Sequence, residues 1–147
     1  MISLYKAREA IHLASSVWLC GSEWMCGLGV DKVASASNGC GPEWMSQKMR
    51  DKLTDFLDIF FPAFCIHDCR FQFDNDGTRG SFYAANDELR LNCLILADHS
   101  YSWYDPRRYI WRHRAKIVYL ACRAFGWSAW RDAYVESRKS NKDKKEN

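Results

Sequence analysis

Strand signal is almost absent from this chain, which argues against a sandwich or barrel built from short alternating segments. No internal repeat is present, so a solenoid is not expected. No two cysteines have the tight CxxC spacing of zinc ribbons and fingers. Prolines number only three in 147 residues, and each stands at a boundary: Pro42 after a glycine loop, Pro62 and Pro106 where a helix begins. A bilayer-spanning run is missing too. Ile11–Val30 has the length, but His12, Ser15, Ser16, Ser22 and Glu23 interrupt it, so it reads as a buried helix and loop. Met1–Ala10 carries Lys6, Arg8 and Glu9 with no uninterrupted apolar run behind it. That is not a secretory signal, and reduced thiols are the expectation.

What is present points to one helical domain. Hydrophobic residues make up 48% of the chain, with seven Trp, seven Tyr and eight Phe. Charge is split along it: from Pro106 onward twelve Lys and Arg face four acids (+8), and before it nine face fourteen (−5), summing to +3. A basic C-terminal third implies contact with phosphates on lipid or nucleic acid, or else a solvated helix face with a basic tail. Seven cysteines cannot all pair internally, and buried free thiols are the expected state.

Apolar periodicity predicts helices over Leu4–Leu19, Ser46–Ile59, Pro62 to about Phe73, Ser81 to about Ala97 and Pro106 to about Phe125. Asp74-Asn75-Asp76-Gly77-Thr78 is a strong turn, and no Glu follows at EF-hand distance. Asp105-Pro106 reads as an N-cap followed by Pro at the first helical position. The N-terminal 1–37 is expected to pack on a core domain at 38–135, and the charged 136–147 to be a disordered tail.

The chemistry-bearing residues lie in three blocks. The first is the loop Asn38-Gly39-Cys40-Gly41-Pro42, which glycine and proline keep from being helical. The second is Ile66-His67-Asp68 on the helix opened by Pro62. The third is Asp87, placed with Ala84 and Leu91 on the inward stripe of the next helix. A carboxylate there would bond one nitrogen of His67 and leave the other free to take a proton from water. Asp68, turned about 100° away from His67, would face the glycine loop instead. Backbone carbonyls of Gly39, Cys40 and Gly41 with one carboxylate would make an oxygen site of the kind calcium prefers. The plain alternative is a core histidine satisfied by its neighbours.

In order and spacing these blocks resemble the phospholipase A2 superfamily, and more closely its short members encoded by phages and prophages. The likeness covers about residues 38–130 and includes Gly77-Thr78, Ala84-Ala85-Asn86-Asp87 and Arg123–Trp130. It implies an all-α fold with two antiparallel central helices, His67 as general base, Asp87 as its orienting acid, and Asp68 with the 39–41 backbone as Ca2+ ligands. It implies a calcium-dependent phospholipid hydrolase in the cytoplasm of an infected bacterium or on a virion. The chain departs from the superfamily at Phe71, where a tyrosine is usual. A degenerate fold that binds a host or phage protein is the second implication. Trp111, Arg112, Arg114 and Trp127 are the expected contacts with an anionic membrane or a partner. Nucleic acid is a weaker partner class, since no motif for it is present. A zinc-binding accessory protein is the third reading, resting on Cys65 and Cys69 four apart on one helix face.

Overall fold

A computed structural model describes residues 1–37 and 46–143. Among them every regular element is helical: α1 (Leu4–Ser16), α2 (Ser22–Leu28), α3 (Val30–Ala36), α4 (Gln47–Phe56), a 3-10 turn (Asp58–Phe60), α5 (Phe61–Phe73), α6 (Arg79–Ser100), α7 (Pro106–Phe125) and α8 (Trp127–Asp143). The all-α expectation is met. The glycine loop Gly39, Cys40 and Gly41 lies outside the described residues.

Local chemistry sets the helix ends. Pro62 stands in the first turn of α5, where its missing N–H costs nothing. Asp105 caps α7 through its side chain, with Pro106 next, and Gly126 closes it. The cap of α6 is Thr78 rather than Ser81: the Thr78 hydroxyl accepts from the Ser81 N–H. Asp76 draws the same turn together, accepting from the Thr78 N–H and from the Thr78 and Ser81 hydroxyls. Helix α8 runs to Asp143, so a helix occupies residues where a disordered tail was expected from Glu136. The short helices α2 and α3 also replace an expected loop.

α5, α6 and α7 form the centre. His67 meets Asn86 and Phe71 meets Phe82, pairings that run in opposite chain order and make α5 and α6 antiparallel. Asp98 meets Arg108 and Arg112, and Arg90 lies over Tyr119, so α6 and α7 are antiparallel too. The main core holds Ile66, Leu89, Leu96, Trp111 and Ala115 together with Ala7, Ala10 and Ala14 of α1. Those three alanines let α1 approach closely. Leu4 and Trp18, in helical phase with Ala7, Ile11 and Ala14, are nevertheless 54% and 78% exposed.

Two polar clamps fasten the α1–α2 connection to the centre. Fully buried Asn92 accepts from the Cys20 N–H at 2.8 Å and donates to the Cys20 carbonyl at 2.9 Å. Beside it, Arg70 bonds Glu88 through two nitrogens at 2.9 and 3.0 Å and lies 4.1 Å from the centre of the Trp24 ring. Gly21 fits under this pair at φ 80°; a Cβ there would come within 2.7 Å of Glu88 Oε1. Asn92→Ala strips partners from two backbone groups, and it is expected to cost about 2 kcal/mol, read from the shift in urea midpoint. An unchanged midpoint would show that water satisfies Cys20 equally well.

Candidate hydrolytic site around His67

α5 carries seven buried residues, Pro62 to His67 and Cys69, because neighbours surround it on several sides. His67 is 8% exposed. Its Nε2 lies 3.3 Å from Asn86 Oδ1 across the α5–α6 contact, and its ring centre lies 4.7 Å from that of Phe71. Asn86 has no exposed surface, and its Nδ2 donates to the Phe82 carbonyl at 2.7 Å. That bond turns Oδ1 toward the imidazole. An amide oxygen only accepts, so His67 Nε2 is the donor and the basic lone pair sits on Nδ1. Burial drives the His67 pKa down from its ordinary value to about 4, against a smaller upward pull from Asn86. The imidazole is therefore neutral at neutral pH.

The expected His67–Asp87 pair does not form. Asp87 is exposed on the outer side of α6, on the side of Arg123, whose pKa is raised chiefly by its hydrogen bond to Tyr119 and to a smaller extent by the Asp87 charge. The expected stripe was one residue out of phase. The buried set of α6 is Phe82, Ala85, Asn86, Leu89, Asn92, Cys93, Leu96 and Ala97, while Leu91 is 48% exposed. One residue on a helix is a rotation of about 100°, which turned Asp87 out and Asn86 in. The two buried asparagines disguised the stripe, because an unpartnered amide is costly to bury and their partners lie in other segments or on the backbone.

Asp68 is half-buried beside the thiols of Cys65, Cys69 and Cys122, and its charge raises the pKa of each. Burial is the larger cause and holds Cys65 and Cys69 at about 12. They are protonated at neutral pH in the metal-free protein. Asp68 adds a hard oxygen donor to this patch of thiols. Among the described residues no group of three or more His, Cys, Asp or Glu side chains is placed to hold a metal. The backbone ligands expected at 39–41 lie outside those residues. The chain reaches that segment from Ser37, whose buried side chain lies against the Cys65 thiol, one turn before Asp68.

The expected membrane contacts on α7 and α8 are mostly packed away. Trp111 is 8% exposed and edge-on to Phe60 at 5.1 Å. Trp127 is half-buried against Phe82 beneath Arg79. Arg114 lies 3.8 Å from the Phe56 ring centre and 4.4 Å from that of Trp111, and Arg112 is paired with Asp98 at 2.6 Å. Helical spacing put the tryptophans on apolar faces, and those faces are covered. No helix among the described residues is long and apolar enough to cross a membrane. The six described cysteines are free. Comparison with protein-family models, curated proteins and solved structures found no match.

Proposed function

We propose that this chain is a phospholipase A2-like domain with a weakened hydrolytic site, in which an amide has replaced the acid that orients the base. The observation that carries this reading is the buried His67–Asn86 contact, which holds the imidazole with its lone pair on Nδ1. A water on that side gives its proton to Nδ1 as its oxygen attacks the ester carbonyl. The proton then passes to the departing alcohol oxygen as the ester bond breaks. Calcium, when bound, polarises the carbonyl, and Asp68 with backbone oxygens of 39–41 would hold it. Asn86 keeps the tautomer but supplies no negative charge to the imidazolium that forms. With the His67 pKa near 4, the base is weak and turnover slow.

The test is ester hydrolysis on phosphatidylglycerol vesicles, with calcium and with chelator. Asn86→Asp restores the charge and should raise the calcium-dependent rate about tenfold by raising the basicity of His67. His67→Gln should lose it. A second reading is a phospholipase A2-like fold that only binds a protein partner; the outward Asp87 and the hydroxyl-free Phe71 beside His67 favour it. Folded wild type and Asn86→Asp that are both inert on these vesicles would decide for that reading.

A further inference from the structure

Among the described residues a group of exposed aromatic rings lies far from His67, at the hairpin joining α6 to α7. Trp103 and Tyr104 are each 73% exposed and Tyr109 is 63% exposed. They are held rather than loose. The Trp103 and Tyr104 rings meet edge to face at 5.8 Å, and the Tyr109 hydroxyl donates to the Trp103 carbonyl at 3.3 Å. Ile110, 53% exposed, extends the apolar surface along α7. From Asn86 to the α6 C-cap Tyr101 there are fifteen residue-to-residue rises, so the tip stands about 22 Å from the His67 contact.

We infer that this tip is a membrane-interface anchor that inserts Trp103, Tyr104 and Tyr109 into the headgroup layer of an anionic bilayer. Each ring has an apolar body and a polar edge, the combination that favours that layer. The charge fits an anionic surface: from Asp98 to Phe125 six Lys and Arg face two acids, Asp98 and Asp105, and Arg107, paired with Asp105 and lying over the Tyr101 ring, keeps its side chain 67% exposed. The rings stand at the end of a helical hairpin, and neither the groove by α1 nor the one on α4 includes them. A projecting aromatic end suits shallow insertion better than the capture of a partner's side chain. The inference is independent of any chemistry at His67.

Sedimentation with large unilamellar vesicles tests it, using the full chain in chelator so that hydrolysis plays no part. Wild type should co-sediment with phosphatidylglycerol vesicles and much less with phosphatidylcholine alone. Trp103→Ala combined with Tyr104→Ala should weaken binding at least tenfold while the far-ultraviolet circular dichroism is unchanged. Lipids brominated near the headgroup should quench part of the wild-type emission, and Trp103→Phe should remove that part. Wild type left in the supernatant with anionic vesicles, or a double variant that binds equally, overturns the proposal and leaves these rings to a protein partner.

Discussion

Trp130→Ala should lower the free energy of unfolding by about 3–5 kcal/mol, the range for a large aromatic removed from a core. Trp130 is 1% exposed. Its ring stands perpendicular to Phe71 at 4.7 Å and meets Phe82 at 5.9 Å. Its carbonyl also accepts from Asn75 Nδ2 at 2.6 Å, tying α8 to the turn between α5 and α6. This one side chain seals the second, smaller core, where Phe82, Ala85 and Trp130 are buried. Trp130→Phe should cost less than half as much. It keeps most of the ring contacts and removes an indole N–H that is buried without a partner among the described residues. Chemical denaturation gives both values. A loss under about 1 kcal/mol for the alanine variant would mean that α8 does not dock in solution.

Acid should destabilise the protein through His67. Its pKa is about 4 when folded against an ordinary 6.5. Between those values the unfolded chain binds a proton that the folded chain refuses, so stability rises with pH through the window and is level above it. Lowering the pH from 7 to 4 should cost on the order of 3 kcal/mol from this group. His67→Gln should flatten the profile in that range. The measurement is the urea midpoint at a series of pH values in chelator. A wild-type profile that is flat from 6.5 to 4 would show that the folded protein protonates His67 as readily as the unfolded chain, and the buried contact with Asn86 would have to be abandoned. The carboxylates of Asp98 and Asp105, lowered chiefly by arginine hydrogen bonds, lose stability below their ordinary carboxylate range and leave this window to His67.

Helix boundaries were legible where one residue's chemistry decides them. Pro62, Asp105, Pro106 and Gly126 act within a single turn, and the ends they mark stand where expected. His67 was also legible as an inward residue, sharing its stripe with Phe64. The partner of His67 was not, because the inner face of α6 carries Asn86 and Asn92, and polarity argued against burying them. Their burial depends on Phe82, His67 and Cys20, the last of them 72 residues from Asn92. A signal did exist: Asn86 and Asn92 fall in phase with Phe82, Leu89 and Cys93. Trp103 and Tyr104 are hard to read from sequence for the reverse reason. The tryptophans expected at the surface are covered instead, Trp111 in the core and Trp127 half-buried, and the exposed Trp103 and Tyr104 rings sit in a short connection that has no period to read.

The Asn92 clamp also bears on the order in which the chain assembles. Closing a contact across so many residues carries an entropy cost that grows with the logarithm of the loop, and two hydrogen bonds on an isolated helix would not offset it. The hairpins α5–α6 and α6–α7 close short connections and can form early. Docking of α1 to α3 then comes last, with Asn92 as the latch that engages a finished scaffold. On that ordering Asn92→Ala quickens unfolding and leaves the refolding limb of a chevron where it was; slowed refolding would instead place the latch in the nucleus.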